Sequence, residues 1–143
     1  MPDPILAKQI VQTFWNAVAT REFETCEATM AENIVRIGPR CNDEGDVSRG
    51  KRAYGDFIRS VIGQIPSYRN VTHELLVSDD GRRVHIHCTE WSAPESGSGQ
   101  EIEVPLVMIC TVNDAHLIEK VDIFWKTPDV PLDWTKSEEI ASS

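Results

Sequence analysis

The stretch Leu117-Ile-Glu-Lys-Val-Asp-Ile-Phe-Trp125 is mostly apolar, and its polar members are Glu119, Lys120 and Asp122. Residues two apart in an extended chain share a face, so Val121, Ile123 and Trp125 fall on one apolar face, which predicts a half-buried β-strand. Asp122 is the exception within it, because burying an unpaired carboxylate costs several kcal/mol. Lys120, Asp122 and Phe124 therefore either form an exposed stripe or place Asp122 in a pocket, where burial suits a carboxyl group to acid–base chemistry.

Three more strands are predicted before this one, over residues 71–77, 84–91 and 102–112. Short, turn-rich segments separate the strands, among them Asp79-Asp-Gly81 and Asn113-Asp-Ala115. Neighbouring strands joined by such short connections pair antiparallel. The C-terminal half of the chain therefore predicts an antiparallel sheet.

Helical patterns occupy the N-terminal half. Asp3 before Pro4 is typical of a helix start, and apolar residues at helical spacing follow as far as Val18. A second, shorter helix is predicted at about 23–30 and a third at about 53–62, with a short strand over 34–37 between them. Helices followed by strands predict an α+β domain, in which a curved antiparallel sheet wraps around the N-terminal helices as a cone and leaves an interior pocket.

The length and charge of the chain limit its partners. Its 143 residues fit one domain, with a core over about 5–126 and an irregular extension over 127–143. A net charge of -9, from 14 basic and 23 acidic side chains, disfavours nucleic acid and anionic membranes. Without a membrane-length apolar run or a secretion signal, we expect a cytoplasmic protein. Reduced, structural thiols are expected because the cysteines occur singly, as Cys26, Cys41, Cys88 and Cys110.

The strand over 84–91 has one apolar face and one polar face that ends in a tryptophan. The apolar face comprises Val84, Ile86 and Cys88. The polar face is either solvated or lines a pocket, and it comprises His85, His87, Thr89 and Trp91. Two histidines two apart on a strand are also half of a metal site, but no third ligand follows at a motif spacing, so we expect no metal.

The strand over 102–112 is apolar on both faces. Leu106 and Met108 lie on one face, and Val107 and Ile109 lie on the other. A strand that is apolar on both sides is covered on both sides. Since the helices cover one face, a second copy of the chain is the natural cover for the other, and we expect a homodimer.

Three motifs occur in a characteristic order: Ala31-Glu-Asn-Ile-Val-Arg-Ile37 after the second helix, Gly50-Lys-Arg-Ala-Tyr-Gly-Asp-Phe57 at the start of the third, and the closing Leu117–Phe124 pattern. Together with the order of elements, they resemble the NTF2-like superfamily, and more narrowly its SnoaL-like and limonene-epoxide-hydrolase-like members. The resemblance covers about residues 5–126. It implies a conical α+β barrel around an apolar pocket, dimerisation through the outer face of the sheet, and enzymes that generally act without a cofactor.

The resemblance also implies roles for single residues. Asp122 matches a closing-strand aspartate that takes part in acid–base catalysis in the cyclases and epoxide hydrolases. Arg36 matches an inward polar position on the first strand, where it either holds a ligand oxygen or forms a salt bridge with a nearby acid. The arginine–aspartate pair of the epoxide hydrolases is not matched at Thr89-Glu-Trp-Ser-Ala93, and the base of the ketosteroid isomerases is not matched at Gly38-Pro39.

We therefore expect a small cofactor-independent enzyme that isomerises, cyclises, dehydrates or hydrates a mostly apolar polyketide-, terpenoid- or steroid-like molecule. Asp122 would move the proton with His87 as its partner and Arg36 as the stabiliser of negative charge, so Asp122→Asn is expected to abolish turnover. The expected substrate-binding residues are Trp91, Thr89, Phe124, Met108, Leu106, Tyr54, His73 and Lys120. The alternative is a non-catalytic ligand-binding or protein-interaction module of the same fold.

Overall fold

The computed structural model describes residues 1–40, 43–92 and 101–125. Within these ranges the α-helices are α1 (Pro4–Thr20), α2 (Phe23–Ala28) and α3 (Lys51–Ser60). The strands are β1 (Met30–Ile37), β2 (Val47–Arg49), β3 (Arg69–Val77), β4 (Arg83–Ser92), β5 (Ile102–Val112) and β6 (Ile118–Trp125). Short 3₁₀ turns lie at Glu44–Asp46 and Ile62–Gln64.

Helix α1 has a defined start and a defined end. The side chain of Asp3 accepts a hydrogen bond from the backbone N–H of Ile5, and Pro4 occupies the first turn, where a missing N–H costs nothing. Arg21 adopts a left-handed φ of 59° and its N–H closes the last turn. The predicted first helix is therefore confirmed, and its buried stripe packs against β3 and β4.

The six strands form one sheet in the order β2-β1-β6-β5-β4-β3. Every neighbouring pair is antiparallel except β1 and β6, which run parallel. This pairing places Arg36 of β1 opposite Val121 of β6, and Ile37 opposite Asp122. The predicted α+β class is confirmed, but the sheet is mixed rather than purely antiparallel.

The two faces of the sheet have different surroundings. One face, which we call the inner face, carries side chains that are all fully buried: Ile86, Cys88, Met108, Cys110 and Val121. The outer face carries the alternate residues, among them His85, His87, Val107, Ile109 and Asp122. The core lies between the helices and the inner face, and its largest fully buried side chains include Phe14, Met30, Ile34, Ile58, Ile86 and Met108.

The strand predictions agree with the structure to within a few residues, and one strand was missed. β2 directly follows the polar, turn-rich segment over 38–46, which the sequence predicts to be a loop. It pairs with β1 over only three residues, so no alternation marks it. The predicted extension over 127–143 lies outside the described residues. Among the residues that are described, no helix is both long and apolar enough to cross a membrane.

Candidate functional site

A cavity of about 250 Å³ lies between α1, α3 and the inner face of the sheet. Most of its wall is aromatic or aliphatic, formed by Trp15, Pro39, Tyr54, Phe57, Val61, Ile62, Ile65, Val104, Ile123 and Trp125. The polar residues in the wall are Arg36, Arg40, Asp46, Tyr68, Glu90 and Ser92. An apolar cavity with a few convergent polar groups is the usual form of a small-molecule site.

Glu90 is the carboxyl group that β4 directs to this cavity. It shares the inner face with Ile86 and Cys88, and it lies opposite Asn70 of β3 and Val104 of β5. The hydroxyl of Tyr68 donates a hydrogen bond of 2.5 Å to Glu90 Oε2. The side-chain amide of Asn70 in turn donates to the Tyr68 oxygen at 3.2 Å, which directs the Tyr68 proton towards Glu90.

The protonation of Glu90 is set by opposing effects. Burial raises the pKa of its carboxyl group above the ordinary value, because a charge is poorly solvated there. The hydrogen bond from Tyr68 and the positive charge of Arg36 act in the opposite direction, since both stabilise the carboxylate. Burial also raises the pKa of Tyr68, and the nearby Glu90 adds to that effect, so the Tyr68 hydroxyl remains a donor.

Arg36 forms the second polar feature of the cavity. Its side chain is 7% exposed, and its guanidinium carbon lies 4.1 Å from the centre of the Phe57 ring. One arm of the guanidinium, Nη1, donates to Asp46 Oδ1 at 3.2 Å and to the Asp46 carbonyl oxygen at 3.3 Å. Of the two alternatives expected for Arg36, the salt bridge with a nearby acid is present, and that acid is Asp46.

Gly38 makes room for that partner. A Cβ atom at Gly38 would lie 2.1–2.3 Å from all three carboxylate atoms of Asp46. Asp46 Oδ2 also accepts a hydrogen bond from the backbone N–H of Arg40 at 3.0 Å. The carboxylate therefore occupies the space that any side chain at position 38 would need.

Two further donors are buried at the cavity wall. Trp15 Nε1 has no conventional hydrogen-bond partner in the described part of the chain. A weak interaction with the Cys88 thiol remains, and it acts to lower the pKa of that thiol. The Tyr54 side chain packs between Phe14 and Phe57. Burial raises the pKa of Tyr54, so its hydroxyl stays protonated.

The predicted site residues divide between the two faces of the sheet. Arg36 and Tyr54 line the cavity, as the sequence analysis expected of residues in a substrate pocket. Leu106 and Met108 lie on the inner face but are packed in the core, with 3% and 0% of their surface exposed, and neither lines the cavity.

The other predicted residues lie on the outer face, which corrects the sequence-based assignment of faces. They are Asp122, His87, Thr89, Trp91, Phe124, His73 and Lys120. Asp122 alternates with the buried Val121 and Ile123, so its side chain points away from the cavity that Ile123 lines. Asp122 and His87 do share a face, as predicted, but that face carries no part of the cavity wall. A catalytic role for either residue stays a prediction.

Contacts on the outer face are local. His73 Nε2 lies 2.7 Å from Thr89 Oγ1, and the His73 and His87 rings are 5.1 Å apart between centres. The guanidinium of Arg69 stacks over the Trp91 ring at 4.3 Å. In the described residues, no three His, Cys, Asp or Glu side chains are grouped so that they could hold a metal ion.

Sequence reasoning missed Glu90, Tyr68, Asn70 and Asp46. A signal for Glu90 was present, because continuing the apolar face of β4 by two residues beyond Cys88 reaches it. Glu90 is thus a half-buried carboxyl group on an otherwise apolar face. Tyr68 and Asp46 lie outside the regular strands, where alternation assigns no face.

The described cysteines agree with the expectation of structural thiols. Cys26, Cys88 and Cys110 are free and buried, and burial raises the pKa of each thiol to about 12. Cys41 lies outside the described residues.

A helix-covered mixed sheet that encloses an apolar cavity with a few charged groups in its wall defines a class of small α+β domains with an internal cavity. The model of the SnoaL-like domain family matches residues 11–120, and the chain belongs to this family within the NTF2-like superfamily. No curated protein shows a significant match.

Solved structures share the fold. RV0760c of Mycobacterium tuberculosis, in complex with estradiol-17β-hemisuccinate, is 26% identical with a TM-score of 0.73, over 85% of this chain and 94% of that one. The Δ5-3-ketosteroid isomerase of a Mycobacterium species is 25% identical with a TM-score of 0.71, over 85% and 93%. SalBIII, an epoxide hydrolase/cyclase-like enzyme in pyran ring formation in salinomycin, is 18% identical with a TM-score of 0.78, over 90% and 97%.

Proposed function

We propose that the cavity binds a small, mostly apolar molecule and that Glu90 exchanges a proton with it. The observation that carries this proposal is a carboxyl group of raised pKa, hydrogen-bonded to Tyr68, in the wall of an otherwise apolar cavity. A carboxyl group with a pKa shifted towards neutrality is suited to take up and to return a proton near pH 7.

The proton transfer requires a general base and a group that stabilises the negative charge of the transition state. The Glu90 carboxylate takes a proton from an acidic carbon or a water, and negative charge develops on an oxygen of the bound molecule. Arg36 supplies guanidinium N–H groups to that oxygen in a site with little water, where electrostatic stabilisation is strong. Glu90 then returns the proton at a second position, which gives isomerisation, cyclisation, dehydration or hydration without a cofactor.

The size and chemistry of the cavity support a compact polycyclic or terpenoid ligand. Its volume is slightly below the roughly 300–1,000 Å³ of typical drug-sized sites. Val61 and Trp125 in the wall are 46% and 43% exposed, so a longer ligand would extend between them. The likeness to a steroid-bound protein and to a ketosteroid isomerase supports a ligand of this class.

The second candidate is a ligand-binding module without catalysis. It is favoured by the complete chain of hydrogen bonds from Asn70 through Tyr68 to Glu90, which satisfies these polar groups without any substrate. The likeness to a computationally designed 17-OHP binder, with 22% identity and a TM-score of 0.70, is compatible with the fold in such a role. In this case Glu90 would select the ligand rather than act on it.

We also propose that the outer face pairs two copies of the chain, as the sequence analysis expected. The apolar side chains Val71, Leu76 and Phe124 on this face are 45%, 58% and 52% exposed. Several exposed apolar side chains on one sheet face are typical of an interaction surface.

The test of the proposed catalysis uses 5-androstene-3,17-dione, a ketone whose double bond moves into conjugation when a proton is transferred. Conversion is followed by ultraviolet absorbance and by uptake of solvent deuterium. We expect Glu90→Gln to lower the rate by roughly 10²–10⁴-fold while calorimetric binding persists. Asp122→Asn is the matched comparison, and we expect it to retain the rate of the unchanged chain.

Three outcomes are distinguishable. Full activity in Glu90→Gln together with loss in Asp122→Asn would show that the proton is moved on the outer face, as the sequence analysis expected. Binding without any conversion above the buffer rate would favour the non-catalytic module. Absence of both binding and conversion would count against a steroid-sized ligand.

A further inference from the structure

We propose that the molecule bound in the cavity carries a carboxylate and that Arg36 holds this carboxylate. The inference rests on the proposed function in taking the cavity as the ligand site. It goes further by naming the charged group that a ligand brings and the residue that receives it.

The first argument is the free arm of Arg36. A guanidinium has five N–H donors in a planar fork that matches a carboxylate. Within the described residues, Arg36 donates through Nη1 alone, and both of these hydrogen bonds go to Asp46. No described residue accepts from Nε or Nη2, and the side chain is 7% exposed in the cavity wall. Asp46 therefore pairs the charge of Arg36 on one side, and the two remaining nitrogens are free to donate to a ligand oxygen.

The second argument is the charge of the wall. The charged residues that line the cavity are Arg36, Arg40, Asp46 and Glu90. Two guanidinium groups and two carboxyl groups thus share the wall, whereas the chain as a whole carries a net charge of -9. The wall is therefore less acidic than the rest of the molecule, and an anionic ligand meets less repulsion there than elsewhere.

The third argument is the kind of free hydrogen-bonding groups that remain. Asp46 already accepts from Arg36 through Oδ1 and from the backbone N–H of Arg40 through Oδ2. The free donors at this end of the cavity are therefore Nε and Nη2 of Arg36. A carboxylate, with two acceptor oxygens, matches these donors better than an amide or an alcohol does.

The experiment compares two probes of nearly the same shape that differ in charge and in one acceptor oxygen, which the amide replaces by an N–H donor group. 2-Naphthylacetate and 2-naphthylacetamide are titrated calorimetrically at neutral pH into the intact chain. We expect the acid to bind at least tenfold more tightly than the amide. Arg36→Gln should reduce this ratio to about one, because it removes the charge and the fork of donors.

Two variants make the test specific. Arg59 is the matched control, since it also pairs with an acid, Glu27, at 2.9 Å and lies over an aromatic ring, that of Phe23, but outside the cavity. Arg59→Gln should leave the ratio unchanged. Asp46→Asn should raise the affinity for the acid several-fold, because Arg36 then keeps its full charge for the ligand; a merely structural Arg36–Asp46 pair predicts no gain.

Contrary results separate the two proposals. Equal binding of acid and amide, or a preference for the acid that survives Arg36→Gln, overturns the carboxylate assignment. If Glu90→Gln still loses conversion of the steroid ketone in that case, the proposed function stands. If neither naphthyl probe nor the steroid ketone binds, both proposals fail.

Discussion

Replacing Gly38 by alanine should break the ion pair that positions Arg36. The new Cβ atom would lie 2.1 Å from Asp46 Oδ2, 2.2 Å from Cγ and 2.3 Å from Oδ1. All three are far inside van der Waals contact, so rotation of the short Asp46 side chain about its own axis gives no relief. The whole carboxylate has to leave, and the hydrogen bonds from Arg36 Nη1 and from the Arg40 N–H leave with it.

The size of the effect follows from the bonds that are lost. Hydrogen bonds to charged groups contribute roughly 1.5–3 kcal/mol each when buried, and less where water reaches them. Asp46 is 19% exposed and Arg40 is exposed, so we assign about 2–4 kcal/mol to the two bonds together. Alanine also lowers the entropy of the unfolded chain, which offsets about 0.4–1 kcal/mol. The expected net loss in the free energy of unfolding is about 1.5–3 kcal/mol.

Urea denaturation followed by tryptophan fluorescence measures this loss directly. Gly45→Ala is the matched control. Its Cβ atom would meet only the Asp43 side chain, with Oδ1 at 3.0 Å, and this exposed side chain can move aside. The control should change the unfolding free energy by less than about 0.5 kcal/mol. A Gly38→Ala variant as stable as Gly45→Ala would refute the reasoning, since the Asp46 carboxylate would then have another place to go at no cost.

Two further predictions concern Glu90 and the outer face. Burial raises the pKa of Glu90 in the folded chain above its unfolded value of about 4.3. The contribution of Glu90 to the free energy of unfolding is therefore fully present below the unfolded pKa and is lost as pH rises through the folded pKa. Between these two pKa values the loss is about 1.4 kcal/mol per pH unit. Glu90→Gln should remove this loss, and urea denaturation at several pH values would contradict it if both chains showed parallel pH profiles. Phe124→Lys should shift the chain from dimer to monomer in sedimentation velocity. Ile5→Lys, on α1, should not, although Ile5 is more exposed than Phe124, at 69% against 52%. A monomeric unchanged chain at micromolar concentration would exclude the dimer.

The elements of the fold were predictable because each has a strong local pattern. The cap at Asp3 and Pro4 and the apolar spacing of α1 specify that helix without any tertiary information. The alternation in β4, the apolar run of β5 and the two-residue spacing of Val121, Ile123 and Trp125 in β6 likewise indicate strands. The parallel pairing of β1 with β6 was not predictable in this way, because nothing local to either strand identifies a partner so distant in sequence.

The site was predictable only in part. Alternation shows which residues share a face, but it does not show which face the helices cover. Asp122 and His87 were correctly predicted to share a face, but that face was wrongly predicted to be the inner one. The sequence contained a sign of this, because Val121 and Ile123 are together more apolar than Lys120 and Asp122. Glu90 belongs to the apolar set of β4, and following that set to its end would have identified the buried carboxyl group.

Tyr68 and Asp46 illustrate what no periodicity captures. Tyr68 precedes β3, and Asp46 ends a 3₁₀ turn in a segment read as a loop. Their positions depend on long-range contacts, with Glu90 for Tyr68 and with Arg36 and the space at Gly38 for Asp46. Such contacts emerge only when the complete sheet is assembled.

The parallel pairing of β1 with β6 also constrains the order of folding. Arg36 is held in a strand whose neighbour, Ile118–Trp125, is synthesised more than eighty residues later. Until β6 docks, β1 has only the three-residue β2 as a partner, and Ile123 and Trp125 are absent from the cavity wall. Because closing so long a loop is entropically costly, we expect the cavity to form late, with the rate of β6 docking limiting the appearance of a binding-competent chain.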